Sequence, residues 1–84
     1  MAATTIRVGL LGCGVVGGSL VGLLAARGDD IEARTGLRFE VGPVAVRDLD
    51  KPRPVDLDAS HFTTDPTAVV DDPDVDVVIE LMGG

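Results

Sequence analysis

One stretch, GCGVVG at residues 12–17, constrains the fold of this chain more than any other feature, because it spaces three glycines as G-x-G-x-x-G. A short and mostly apolar run at residues 6–11 precedes it, and leucines and valines at helical spacing follow it. This order predicts a buried strand, a tight turn and a helix. The three together are the context in which the motif binds the pyrophosphate of a dinucleotide.

Each glycine of the motif has a separate mechanical task in that interpretation. Gly12 makes the tight turn, Gly14 lets a pyrophosphate approach the backbone, and Gly17 lets the helix pack close to the strand. The amides of the first helical turn have no acceptor within the helix, and the helix dipole adds about 0.3–1 kcal/mol of attraction for an anion. The alternative is a glycine-rich turn that serves close packing alone.

The uncharged run at residues 8–26 also raises the possibility of a membrane span or an export signal, because a span needs about 20 apolar residues. Six glycines and one serine interrupt this run. The apolar segment before Cys13 is shorter than the h-region of about 7–15 residues that a signal peptide needs. We therefore expect neither a membrane span nor an export signal. Cys13 is the single cysteine, so no intramolecular disulfide can form, which fits a cytoplasmic protein.

Size and charge narrow the functional classes. The chain has 84 residues, enough for one small domain, and its formal net charge is −7. An acidic chain cannot neutralise phosphates over a wide surface, so we expect no nucleic-acid partner. A small anion is still compatible, because a few amides and one arginine can outweigh the overall field locally.

The remaining elements are predicted from periodicity and from turn residues. Residues 1–5 are expected to be a flexible terminus. The first helix starts near residue 15 and is expected to end at Gly28, with a second short helical piece that Asp29 or Asp30 caps and Gly36 closes.

Three strands and one helix are expected in the second half of the chain. Strands are predicted at residues 39–47 and 61–64 and at residues 75–82. Pro43 would interrupt the first of them with a bulge or a late start. Asp65 followed by Pro66 is a helix start, and this helix would run to about residue 70.

Alternation of strands and helices predicts an α/β fold with a parallel sheet and right-handed crossovers. The expected architecture is a partial Rossmann-type doubly wound sheet, comprising its first half and the opening strand of its second half. Residues 6–84 then form an incomplete dinucleotide-binding domain, and a substrate or catalytic domain is absent from the chain.

The residues that follow the second strand are candidates for contact with the ribose. An acidic residue such as Asp48 would bond a ribose 2′-hydroxyl and favour NAD, whereas Arg47 would pair with a 2′-phosphate and favour NADP. Periodicity alone leaves this choice open, and both residues could instead simply solvate the strand end.

Three other sequence features do not indicate a catalytic or metal-binding site. The acidic run at residues 71–76 lacks the glycine and the distal glutamate of a calcium loop, and it is typical of a helix end followed by a turn. His61 has no partner pattern, and a surface or structural role is expected. Cys13 near a helix N-terminus could have a lowered pKa, although packing is its expected role.

Four segments together resemble the N-terminal region of bacterial homoserine dehydrogenases over residues 6–84. They are IRVGLLGCGVVGGSLVGLL, IEARTG, VAVRD and DVDVVIELMGG. The resemblance implies a protein that reduces L-aspartate 4-semialdehyde to L-homoserine with NAD(P)H, on the route to threonine, methionine and isoleucine. The resemblance also implies a homo-oligomer that binds a small-molecule cofactor and a small-molecule substrate and does not bind a membrane.

The resemblance also assigns roles to individual residues. The turn from Gly12 to Gly17, with the backbone of Val15 and Val16, would hold the pyrophosphate. Arg47 matches the position that contacts the 2′-phosphate of NADP, which makes NADP the expected cofactor and NAD a possible one. Gly83 and Gly84 match the turn near the nicotinamide.

The family's proton-donating lysine and its acidic substrate ligands match no position within residues 1–84. No catalytic residue and no metal ligand is assigned here, and the 84-residue chain alone is expected to be inactive. Alternatives are a nucleotide-sensing module without catalysis and another semialdehyde or sugar dehydrogenase.

Overall fold

The computed structural model describes residues 4–50 and 57–81, which form four strands and two α-helices. The strands are β1 (Thr4–Leu11), β2 (Leu37–Ala45), β3 (Phe62–Thr63) and β4 (Val77–Glu80), and the helices are α1 (Val15–Thr35) and α2 (Thr67–Val70). A single 3-10 turn at Ala59–His61 leads into β3.

The four strands form one parallel sheet in the order β3-β2-β1-β4. The connection from β1 to β2 moves one way across the sheet, and the connection from β3 to β4 moves the other way. Right-handed crossovers in opposite directions place α1 and α2 on opposite faces. The α/β class and the doubly wound order, with three strands of one half and the first of the next, are therefore confirmed.

The core lies mainly between α1 and the sheet, because alternate residues of β1 face the two layers. Val8 and Leu10 are buried with Val21 of α1 and with two valines of the second strand region, Val44 and Val46. Gly9, between them, faces the other layer, where Val69 of α2 is fully buried. The prediction of a first strand buried on both faces is correct.

Two predictions, one about the start of β1 and one about the end of α1, are wrong. Thr4 and Thr5, assigned to a flexible terminus, belong to β1, because they pair with Leu37 and Arg38 of β2. The amide of Thr4 also donates to the carbonyl of Gly36 at 3.0 Å. Residues 1–3 lie outside the described part of the chain.

The predicted helix end at Gly28 is the second error, since α1 has 21 residues and ends at Thr35. One side-chain pair spans the expected break and a second follows it: Asp30 accepts from Arg27 and from Arg34, each at 3.2 Å. Pairs at these spacings support a helix and help to offset the glycine penalty of about 1 kcal/mol. Gly36, predicted to close the second piece, ends the whole helix in the left-handed conformation at φ 73°.

The expected irregularity at Pro43 is present as a bulge in β2. Val8 pairs with Val41 and Leu10 with Val44, so β2 has one more residue than β1 between these pairs. The strand itself runs two residues earlier than predicted, from Leu37 to Ala45. It stops before Arg47, because the ladder with β1 ends at Leu11.

The later elements lie close to their predicted positions but are shorter. β3 has two residues, and β4 ends at Glu80, while residues 82–84 lie outside the described part. The carboxylate of Asp65 accepts hydrogen bonds from the amide and the hydroxyl of Thr67 at 3.0 and 2.6 Å, which agrees with the predicted start of α2. Within residues 4–50 and 57–81, no helix combines the length and apolarity of a membrane span.

Candidate functional site

The glycine motif occupies the turn between β1 and α1, at the carboxyl edge of the sheet. Gly12 follows the last residue of β1 and has φ 102°, a backbone conformation that side chains disfavour. Its amide donates to the carbonyl of Ala45 at 2.7 Å. This bond ties the turn to the end of β2, so the two candidate contact regions are adjacent.

The N-terminus of α1 is open. Gly14 is its N-cap residue, no side chain caps the helix, and the first turn contains no acidic residue. A Cβ atom added to Gly14 would have no atom within 4 Å. First-turn amides without acceptors, next to free space, can bind an anionic ligand such as a phosphate.

Gly17 faces inward, in contrast to Gly14. It is buried, and an added Cβ atom would lie 3.4 Å from the Gly12 carbonyl oxygen and 3.4 Å from Cδ1 of Leu81. The amide of Leu81 donates to the carbonyl of Leu11 at 2.8 Å. The third glycine therefore brings α1 close to the turn and to the segment after β4, as the motif predicts.

A cleft opens beside Arg47, at the carboxyl ends of β2 and β3. Its volume is about 180 Å³. Its lining consists of residues from the end of β2 and from the β3–α2 connection: Ala45, Val46, Arg47, Thr64 and Pro66. Arg47 is exposed, and it forms no ion pair with any other described residue. Its guanidinium group can bind a phosphate.

Asp48 has a different role in this geometry. One of its carboxylate oxygens accepts a hydrogen bond from the amide of Asp50 at 2.9 Å. This contact closes a turn after β2, whereas Arg47 lines the cleft.

The structure brings the predicted residues together at one edge of the sheet. Gly12 to Gly17 form the turn and the start of α1, with Val15 as the first helical residue, and Val16 is 67% exposed beside them. Gly83 and Gly84 lie outside the described residues. Sequence reasoning missed Thr64 and Pro66 as walls of the cleft, since Asp65-Pro66 signalled only a helix start.

The acidic segment at residues 71–76 uses two carboxylates as backbone acceptors. Asp72 accepts from the amide of Asp74 at 2.8 Å, and Asp76 accepts from the amide of Arg7 at 2.8 Å. In the ranges that the structure describes, no group of acidic, histidine or cysteine side chains has the arrangement of a metal site.

Comparison with known proteins connects this geometry to a family. Residues 12–84 match the family described as homoserine dehydrogenase, NAD binding domain. The chain belongs to this family. The family indicates a nicotinamide dinucleotide, and the open helix N-terminus and the cleft lined by Arg47 fit such a group.

Curated relatives agree with the family assignment. The chain is 47% identical to the homoserine dehydrogenase of Bacillus subtilis (strain 168) over 79 residues and 48% identical to that of Synechocystis sp. over 82 residues. The matches cover 94% and 95% of this chain. The chain spans 18% of the length of either relative.

Solved structures share the fold of this chain. A homoserine dehydrogenase crystal structure from S. aureus at pH 7.5 has a TM-score of 0.86 and 28% identity, covering 96% of this chain and 21% of that one. A homoserine dehydrogenase from Thiobacillus denitrificans has a TM-score of 0.81 and 40% identity, covering 99% of this chain and 19% of that one.

Proposed function

We propose that this chain is the cofactor-binding part of an enzyme that reduces L-aspartate 4-semialdehyde to L-homoserine with NAD(P)H. One observation carries the proposal: an uncapped helix N-terminus at Gly14 follows a G-x-G-x-x-G turn, in a chain of the homoserine dehydrogenase family. The cofactor supplies the hydride for the aldehyde carbon. The residues of this chain bind and orient the cofactor.

Each part of the binding site has a proposed ligand group. The amides at Val15, Val16 and Gly17 would donate to the pyrophosphate, which approaches over Gly14, where a side chain would occupy the open space. The Arg47 guanidinium would pair with the 2′-phosphate of NADP, because it lines the cleft without an acidic partner among the described residues. We therefore propose NADP as the preferred cofactor.

The domain organisation follows from the same assignment. Residues 6–84 would form the first part of an NAD(P)-binding domain, and the substrate domain with the proton-donating lysine would be contributed by other residues. The 84-residue chain alone should not oxidise NADPH with the aldehyde. The complete protein is expected to be a cytoplasmic homo-oligomer with small-molecule ligands and without a nucleic-acid or membrane partner.

Replacing Arg47 with alanine tests the cofactor preference in the complete protein. A charge-assisted hydrogen bond contributes about 1.5–3 kcal/mol, so the Kd of NADPH should rise about ten- to a hundredfold. The Kd of NADH should stay nearly unchanged, because NADH has no 2′-phosphate. Both constants can be measured by titrating the fluorescence of the bound dihydronicotinamide.

Arg34→Ala is the matched control for this experiment. Arg34 is an exposed arginine in the last turn of α1, and its Nε donates to Asp30 far along the helix from the glycine turn. This variant should leave both dissociation constants unchanged. An equal loss of NADPH and NADH affinity in Arg47→Ala would refute the 2′-phosphate contact.

A further inference from the structure

One wall of the cleft that Arg47 lines depends on a very short strand. β3 contains only Phe62 and Thr63, which pair with Val44 and Ala45 of β2. One further backbone bond, from the amide of Val46 to the carbonyl of Thr63 at 2.8 Å, extends this ladder. Thr64 and Pro66, the residues that follow, form the wall.

A side-chain contact reinforces this short ladder. Nδ1 of the half-buried His61 lies 2.9 Å from the carbonyl oxygen of Gly42 in β2. A carbonyl can only accept, so Nδ1 carries the proton and donates. Gly42 lies in the bulge between Val41 and Val44, where the regular ladder with β1 is interrupted.

Local structure fixes the position of the imidazole. His61 ends the 3-10 turn, and its amide donates to the carbonyl of Asp58 at 3.0 Å. The carboxylate of Asp58 accepts from the amide of Ser60 at 3.3 Å, so the turn is capped at its start. His61 thus links the capped 3-10 turn that precedes β3 to the bulge of β2.

We propose that His61 is a positioning residue for the adenosine half of the dinucleotide. Its hydrogen bond holds β3 against β2, and thereby keeps the Thr64–Pro66 wall of the cleft at a fixed distance from Arg47. This inference rests on the proposed function, because it assumes that the cleft beside Arg47 receives the 2′-phosphorylated adenosine. The imidazole itself acts through the backbone of β3.

The experiment compares two substitutions of His61 in the complete protein, with adenosine 2′,5′-bisphosphate as the probe. This molecule contains only the adenosine side of NADP. His61→Leu removes the donor, and a net loss equal to one hydrogen bond raises the Kd by up to about tenfold. His61→Asn keeps a nitrogen donor on Cγ, where Nδ1 is in histidine, and should restore most of the affinity. Calorimetry measures both constants.

Thr35→Val is the matched control for simple loss of stability. The Thr35 hydroxyl donates to the carbonyl of Ile31 at 2.7 Å and accepts from the amide of Leu37 at 3.1 Å, so this variant also loses side-chain to backbone bonds, but at the opposite edge of the sheet. It should lower the unfolding midpoint in denaturant without changing the Kd of the probe. If His61→Leu does not fold, His61→Phe, which keeps an aromatic ring but has no donor, replaces it with the same expected result.

Each outcome of the experiment is decisive. Weaker binding in the leucine variant, with recovery in the asparagine variant, supports the positioning role. Unchanged binding in the leucine variant overturns it, as does an equal loss in both variants, which would indicate direct contact by the imidazole. If the unsubstituted protein does not bind the probe, the proposed function fails as well, so the two failures are distinguishable.

Discussion

The two ends of α1 differ in how their polar groups are satisfied. At its C-terminus, the amide of Gly36 donates to the carbonyl of Glu32 at 2.8 Å, and the Gly36 carbonyl accepts from Thr4. Arg38 donates to Asp29 at 2.7 Å next to this end. At its N-terminus, Gly14 provides no side-chain cap and the first turn has no acidic residue.

This difference separates folding from binding. At the amino edge of the sheet, the amide and carbonyl of Gly36 and the guanidinium of Arg38 have partners within the chain, so these contacts contribute to the free energy of unfolding. At the carboxyl edge, the first-turn amides of α1 have no side-chain cap, and the Arg47 guanidinium has no ion-pair partner among residues 4–50 and 57–81. These are the groups that we propose to bind the dinucleotide. Substitutions at the two edges should therefore separate effects on stability from effects on binding.

The largest effect on NADPH binding is expected from Gly14→Asp. An aspartate at the N-cap would accept from the open amides, and the interaction of its charge with the helix dipole is worth about 0.3–1 kcal/mol of added stability. The same carboxylate would repel a pyrophosphate at about 4 Å by about 4 kcal/mol, which weakens NADPH binding by more than about a hundredfold. Chemical denaturation and fluorescence titration measure the two changes.

Gly14→Asn separates charge from volume in this test. Asparagine also caps a helix and fills similar space, but it is neutral. Its Kd for NADPH should lie between those of the unsubstituted protein and the aspartate variant. If Gly14→Asp bound NADPH normally, the assignment of this helix end to the pyrophosphate would be wrong.

A pair of glycine substitutions compares the two edges directly. Gly12 and Gly36 both have positive φ, at 102° and 73°. Alanine at either position should lower the free energy of unfolding by about 1–3 kcal/mol, because side chains strain this conformation. Only Gly12→Ala should also weaken NADPH binding, since it distorts the turn before α1.

The measurements are a urea titration and a ligand titration on both variants of the complete protein. Gly36→Ala serves as the matched control, because an added Cβ atom there has no neighbour within 4 Å and the site is remote from the glycine turn. A loss of NADPH affinity in Gly36→Ala, measured under conditions where it is folded, would contradict the separation of the two edges.

The smallest effect concerns acid stability at the start of α2. Hydrogen bonds from the hydroxyl and then the amide of Thr67 lower the pKa of Asp65 below its ordinary value of 3.8. A lowered pKa in the folded state stabilises the protein above pH 3.8, and this contribution is lost as the pH falls through the lowered pKa. Asp65→Asn should therefore lose less stability on acidification.

Thr67→Val provides the complementary variant. It removes the hydroxyl that contributes most to lowering the Asp65 pKa, so its acid dependence should also shrink while the carboxylate remains. The difference between the urea midpoints at neutral pH and near pH 3 measures the loss of stability on acidification. Identical acid dependence in all three proteins would show that Asp65 makes no contribution to it.

Local patterns in the sequence determined a large part of this protein. The glycine spacing after a short apolar run was sufficient to predict β1, the turn and the start of α1, because this motif depends on backbone geometry. Asp65 followed by Pro66 likewise predicted the start of α2, since capping involves only neighbouring residues. The alternation of elements predicted the parallel doubly wound order.

Tertiary structure decided what local patterns could not. Gly28 was expected to end α1, but α1 continues, because ion pairs along the helix and packing on the sheet outweigh the preference of one residue. The cleft beside Arg47, its Thr64–Pro66 wall and the His61 contact with Gly42 join segments that are distant in sequence. No local pattern encodes such contacts, because they exist only after the strands have paired.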